Sequence, residues 1–373
     1  MKIIITARGY LSLTQEKYGL FEIDQARALN ELGHEVCVFA IDMRSIRHIR
    51  KWGLFETQKE GVSIINISFP CYGISEKIKI KICRCLLQKA YKMYCKKNNV
   101  PDIIHAHFFE YAYYIVSAFQ KNGIPIIVTE HSSLVNVQKM DDKMKKKARI
   151  AYENAHKVIA VSGALANRIE QHFGIKCCIV PNVVDVDIFN YKKREIKSEK
   201  FIFITVANLI PIKRIDILIK AYAKLMENYQ NGELIIVGDG EEKSKLIQLA
   251  IDYKIQNKVI FKGRLERKSI SELMASADCF VLPSSSETFG VAYIEAMASG
   301  LPVIATRCGG PEDFVNESNG ILVDIDNIED LYQAMVAMIN QVNKYDAKEI
   351  SDTVRTLFSK EIVGKRIMEE YKN

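Results

Sequence analysis

The chain has 373 residues and 48% apolar content, enough for two hydrophobic cores and too long for one typical domain. It holds no run of eighteen apolar residues, and Met1-Lys-Ile-Ile-Ile-Thr6 is short enough to be a first strand; the expectation is a cytoplasmic protein without a membrane span. Nine cysteines without a paired C-x-x-C argue for reduced thiols and against zinc, and the net charge of +7 is uneven, with 27 Lys/Arg against 18 Asp/Glu up to residue 190 and 25 against 27 beyond.

In the first half the apolar, β-branched runs KIIIT, EVCVFA, GVSIINI, DIIHAH, PIIVTE and KVIAV are each followed by a longer segment. That alternation is the βαβ pattern of a parallel sheet. The first run leads into Ala7-Arg8-Gly9 with no G-x-G-x-x-G, which argues against a nicotinamide dehydrogenase. Gly19 precedes a helix expected from Phe21 to Leu32, either as a plain turn residue or as backbone close to a diphosphate or sugar.

Between Lys77 and Lys97 lie eight cations and no acid, with Ile78, Ile82, Cys85, Leu86, Ala90 and Met93 expected on one helical face. The basic side is either a solvated surface or a face toward anionic lipid. Lys143, Lys145, Lys146, Lys147 and Arg149 form a second cluster, and no nucleic-acid module accompanies either. His105, His107 and His131 end two of the strands, as structural residues or as groups at a site; His131 is the strongest candidate. Asp185-Val186-Asp187 has a D-x-D spacing but follows a Pro181-Asn182 turn, so a metal is not expected there.

A charged connection, residues 188–200, is expected to separate domains at 1–187 and 201–355, with a final helix over 356–373 crossing back to the first domain. The second series of strands runs FIFITVA, ELIIVG, VIFKG, DCFVL, PVIAT and GILVD. Two doubly wound α/β domains follow, with a ligand expected in the cleft between them.

After the first of these strands come Asn208, Lys213 and Arg214; Lys213 is the candidate phosphate ligand, and Arg214 either a second clamp or a solvated neighbour. Gly238-Asp239-Gly240 lacks a third glycine and is a weak signal alone. The most informative segment is Glu287-Thr288-Phe289-Gly290-Val291 through Glu295, in a strand-to-helix loop and the helix after it. First-turn amides backed by the helix dipole suit a diphosphate, with Thr288 to Val291 as contacts. Eight residues apart, Glu287 and Glu295 are expected about 80° apart around a helix and to serve different groups.

As an ordered set, Glu287 to Glu295 with Ala-Met-Ala-Ser-Gly-Leu-Pro after it, Lys213, Gly238-Asp239-Gly240, Gly263-Arg264, Pro181-Asn182 and Leu32-Gly33-His34-Glu35-Val36 resemble the retaining glycosyltransferases of family 4, the "group 1" transferases, over nearly the whole chain. The resemblance implies the GT-B fold and transfer of a sugar, from a UDP-sugar as the commonest donor, with retained configuration and no metal or other cofactor. It implies that Glu287 holds donor-sugar hydroxyls, Glu295 the ribose, Lys213 the diphosphate, the segment around Arg264 the base, and His131 the sugar near the reacting centre. The family often has arginine where this chain has Asn208, and Gly19 lacks the usual second glycine. Basic surface and cytoplasmic placement suggest a glycan or lipid-linked acceptor in cell-surface polysaccharide assembly, such as exopolysaccharide or lipopolysaccharide. A sugar-nucleotide epimerase of the same architecture, and a non-catalytic membrane-associated scaffold, are the alternatives.

Overall fold

The structure, a computed structural model, describes residues 1–11, 16–71, 73–193 and 200–372, which form two compact units. The first comprises Met1–Val183 and Lys360–Asn373, the second Val184–Ser359.

The first unit contains β1 (Lys2–Leu11), β2 (Glu16–Tyr18), α1 (Leu20–Glu31), β3 (Glu35–Asp42), β4 (Gly53–Lys59), β5 (Val62–Ser68), α2 (Glu76–Asn98), β6 (Ile103–His107), α3 (Phe109–Phe119), β7 (Ile126–Glu130), α4 (Asp142–Glu153), β8 (Lys157–Ala160), α5 (Gly163–Phe173) and β9 (Cys178–Ile179). The sheet runs β4-β5-β3-β1-β6-β7-β8-β9, parallel except for β4 on its edge and β2, which pairs with β1. Strands β1, β3 and β6 read as nearly unbroken apolar runs because helices cover both faces. β4 has no such run. Its alternating exposure marks an edge strand, and it joins β5 through Glu60-Gly61, both at positive φ, the two-residue hairpin that suits the twist of antiparallel strands.

The second unit contains β10 (Phe201–Val206), α6 (Ile215–Asn228), β11 (Gly232–Val237), α7 (Lys243–Asp252), β12 (Val259–Gly263), α8 (Arg267–Ser276), β13 (Cys279–Leu282), α9 (Val291–Ala298), β14 (Val303–Thr306), β15 (Gly320–Val323), α10 (Ile328–Gln341) and α11 (Ala347–Phe358). Its six strands are all parallel in the order β12-β11-β10-β13-β14-β15. The winding reverses between β10 and β13. Such a switch point opens a crevice at the carboxyl ends of the two strands.

The last helix, α12 (Lys360–Lys372), belongs to the first unit. Val363, Ile367 and Met368 join Ile23, Ala26 and Leu29 of α1 and the strand residues Ile3, Val38, Ile103, Ile127 and Ile159 in one core. Gly364 lets the two helices approach, since a Cβ there would stand 2.8 Å from Leu32 Cδ1. Burial of Val363 and Ile367 contributes about 1.5–3 kcal/mol each.

Two expected boundaries move. The division falls at Val183/Val184 rather than after residue 187, because Asp185 closes a turn with the second unit, whose Ser271 Oγ donates to Ile188 O at 2.7 Å. The final helix starts at Lys360 rather than 356, since residues up to Phe358 complete α11 and Val184 N donates to Phe358 O. Of the expected connection, residues 194–199 lie outside those described. The buried side of α2 is Cys83, Leu87, Ala90 and Tyr94, whereas Ile78 and Cys85, expected on its apolar face, are exposed. No helix among the described residues is long and apolar enough to cross a membrane.

Candidate active site

In the second unit the special residues gather where the sheet switches direction. After β10 the chain makes a short 3-10 turn, Pro211–Lys213, and Arg214 adopts a left-handed conformation to start α6. Lys213 therefore precedes the helix instead of sitting in its first turn. After β13, Glu287 lies in the loop before α9 rather than on the helix, so its position is not a matter of helical angle. It is fixed by backbone bonds instead: Glu287 N donates to Cys308 O at 3.1 Å and Gly310 N to Glu287 O at 3.0 Å. Gly310 is required there, because a Cβ would lie 2.4 Å from Phe289 O.

The two segments meet in an ion pair, Lys213 Nζ to Glu287 Oε1 at 2.7 Å, and Ser284 Oγ donates to the same oxygen at 2.7 Å. Glu287 is mostly buried and Lys213 about one-fifth exposed, so the pair is partly desolvated while its cation still meets solvent. Gly290, at positive φ, caps α9, and the helix's first amides have no partner within the helix. Thr288 and Val291 are half-buried, whereas Phe289 is buried against Phe314 and Phe358 and supports the loop from behind. About one turn into α9, Glu295 pairs with Arg267 Nη2 at 3.3 Å, and that guanidinium lies over Phe189. Arg267 escaped the sequence reading. Only the fold brings the first residue of α8 to α9.

The remaining candidates are more dispersed. Asn208 and Arg264 are exposed, following β10 and β12. Gly238 takes φ of 143° with its missing side chain against Ala207 O, so it serves the β10–β11 approach as packing. Arg214 is not merely solvated: it pairs with Asp216 at 3.2 Å and with Asp326, and the Asp216 bond, followed by the Asp326 bond, raises its pKa.

In the first unit β1, β6 and β7 end side by side, and their residues form a buried row. His107 Nδ1 and His131 Nε2 are 2.8 Å apart, while His105 meets Gln25 at 2.9 Å, Tyr371 of α12 at 2.5 Å and Thr129 at 2.7 Å. The rings stack, with Phe21 and Phe108 packed on His131. Burial, followed by the charge of Arg8, lowers the His131 pKa to about 3; burial lowers His105 to about 3 and takes His107 well below the usual value. All three are neutral at neutral pH. His131 is 6% exposed and borders a cavity of ≈ 10 Å³, about the least that holds one water, beside Asn182 and Thr129.

Two carboxylates that the sequence did not single out organise this end of the sheet. Glu130, fully buried, accepts from the backbone N–H groups of Phe109 (2.9 Å), His131 (2.9 Å) and Ser132 (2.7 Å) and from Tyr152 Oη (2.5 Å). Burial, with Glu110 nearby, raises its pKa to about 7. Glu22 holds both the backbone N–H and Nε of Arg8, each at 3.2 Å. The latter corrects the expectation for Gly19. Its N–H is taken by Arg8 O, and the space of its absent side chain is filled by the Glu22 carboxylate, 2.2 Å from where a Cβ would stand, so it is not backbone open to a diphosphate.

Comparison with known proteins agrees with this architecture. Residues 187–357 match the family model described as glycosyl transferases group 1, and residues 23–188 that described as glycosyltransferase family 4. The N-acetyl-alpha-D-glucosaminyl L-malate synthase of Bacillus anthracis is 31% identical over 244 residues, 60% of this chain and 61% of its own length. Among solved structures, the sucrose-phosphate synthase of Thermosynechococcus elongatus superposes with a TM-score of 0.80 at 19% identity, covering 100% of this chain and 98% of that one. HepE of Anabaena, in complex with UDP and glucose, gives 0.78 at 20% identity, with coverage of 100% and 99%. Two parallel-sheet, Rossmann-like units define the GT-B class. The chain belongs to the family 4, or group 1, glycosyltransferases.

Proposed function

We propose that the protein transfers a sugar from a UDP-sugar to a glycan or lipid-linked acceptor, with retained configuration and without a metal or other cofactor, in the assembly of a cell-surface polysaccharide. The observation that carries this is the Lys213–Glu287 pair, 2.7 Å apart at the foot of α9. A cation, a carboxylate and a helix N-terminus at one switch point suit a sugar diphosphate: the ammonium and amides meet the phosphates and the carboxylate accepts from sugar hydroxyls. When the bond from the anomeric carbon breaks, its electron pair goes to the diphosphate oxygen. Lys213 and the amides of Gly290 and Val291 stabilise that charge.

Glu295, steadied by Arg267, takes the ribose hydroxyls; the exposed Arg264 segment takes the base, and Asn208 and Thr288 border the phosphates. His131, neutral, contacts the sugar near the reacting centre as a hydrogen-bonding group rather than as an acid. UDP is favoured by the likeness to HepE, which was solved with UDP and glucose. The exposed cations of α2 and of residues 143–149 suit an anionic membrane surface on the cytoplasmic side, where a lipid-linked acceptor resides.

Thermal stabilisation by UDP, GDP, ADP and their sugar conjugates tests the donor site. A shift selective for uridine nucleotides, absent from Lys213→Ala and Glu295→Ala, is expected. A shift of equal size in both variants would remove these residues from the site.

A further inference from the structure

The connection between β3 and β4, residues 43–52, combines a tightly bonded base with an apolar tip. Arg50 is its anchor. The side chain is fully buried: Nη1 donates to Ser45 O at 3.0 Å and His48 O at 2.8 Å, Nη2 to Arg44 O at 2.9 Å, and Nε lies 3.1 Å from both Ser68 Oγ and Asp42 Oδ2. Arg44 closes on the same aspartate at 2.7 Å. Yet this loop turns Ile46 and Ile49 into solvent, 68% and 71% exposed, with Trp52 at 39%. Folding the isoleucines inward would cost the bonds that Arg50 makes to the loop's own carbonyls. They are held outward.

The exposed tip is basic, and the nearby carboxylates are paired, Asp42 with Arg44 and Arg50 and Glu76 with Lys147. Arg47, His48 and Lys51 are exposed around the tip, and neither 43–52 nor 77–97 contains an acid. Cys71 Sγ donates to Met43 O at 2.5 Å, with Lys79 of α2 beside the thiol, which sets the base of the loop next to that helix's first turns. Exposed Lys77, Ile78, Lys81 and Arg84 carry the same character onward. Apolar tips beside a tryptophan, rimmed by cations, fit the boundary between acyl chains and anionic headgroups better than they fit a soluble partner.

We propose that residues 46–52 form a wedge that inserts into an anionic bilayer while the basic face of α2 lies on its headgroups. The proposal rests on the membrane part of the function above and not on sugar transfer. Trp52, the single tryptophan of the chain, stacks under Arg50 with the guanidinium carbon 4.0 Å from its ring, and so reports on the wedge directly. Full-length protein is mixed with vesicles of phosphatidylcholine alone or with phosphatidylglycerol, some carrying brominated acyl chains. A blue shift and bromine quenching of Trp52 are expected only with phosphatidylglycerol. Ile46→Ser/Ile49→Ser lowers vesicle partitioning about tenfold and abolishes quenching with an unchanged melting temperature, because both side chains are already in water. Lys77→Glu/Lys81→Glu weakens binding most at low salt.

Sedimentation with vesicles but no quenching would mean that the protein lies on the surface through charge alone, overturning the wedge. Absence of binding to either vesicle would overturn the whole proposal and leave a protein as the partner of this loop. Nucleotide-induced stabilisation, measured on the same samples, tests the donor site separately.

Discussion

The row His105–His107–His131 and the pair Lys213–Glu287 both stand at a sheet switch point, yet they are built on opposite principles. The first is buried, stacked and neutral, held by contacts that reach across the unit to Gln25 and Tyr371. The second is charged, half-open and made from two short loops. One is fixed by packing on every side; the other is an ion pair whose cation still meets solvent. This chain thus places a packed, neutral row in one unit and a partly solvated ion pair in the other.

The largest effect that would sharpen this contrast is on the charged side. Lys213→Ala should reduce turnover of a sugar nucleotide about 10²- to 10³-fold, since it removes the cation proposed to face the leaving group. Steady-state rates check it. A loss confined to KM would show that Lys213 binds ground state and transition state alike.

The buried side should respond to acid. Each histidine of the row stays neutral in the folded state, whereas in the unfolded chain it binds a proton below about pH 6.5. The unfolded state then gains protons, so stability falls as pH drops from 6.5 toward 3, by roughly 1 kcal/mol per pH unit per histidine. Glu130 runs the other way, because its raised pKa lets the folded state hold a proton between 4.5 and about 7. Urea melts of wild type and His107→Asn at pH 7 and pH 5 check the balance. The variant should lose less stability on acidification, and parallel losses would contradict neutral burial.

Smaller effects test the supports. Arg267→Gln, which loosens Glu295, should raise KM for the donor about five- to tenfold with kcat nearly unchanged. Asn208→Arg, placing a cation at the exposed end of β10, should tighten nucleotide-diphosphate binding only about two- to fivefold, since an exposed charge is screened. Calorimetry distinguishes both from no change.

The charged side was far more legible in the sequence than the buried one. Lys213 and Glu287 lie on strand-to-helix junctions that local pattern exposes, with Glu295 in the helix that follows, and the twelve apolar strand runs all form strands. Arg267, Glu22 and Glu130 were passed over because each acts through a partner that only the tertiary fold supplies. Glu130 had one signal, a carboxylate closing the apolar run Ile126–Glu130 where burial is certain. Glu22 had another: a glutamate three residues after Gly19, close enough to fill the space a glycine leaves. β4 was missed because charged residues interrupt its alternation, and the face of α2 was misplaced because Ile78 and Cys85 stand in solvent.

The hydrogen bond from Tyr371 to His105 spans 266 positions of the chain and has a consequence for synthesis. Strands β1 to β9 leave the ribosome long before α12 exists, so the first unit waits with an uncovered apolar groove along α1 and with His105 lacking one of its three partners. The second unit, continuous from Val184 to Ser359, has all its parts while the first still lacks one. Order of translation and order of completion are reversed. The nascent first half is the species a chaperone would have to guard.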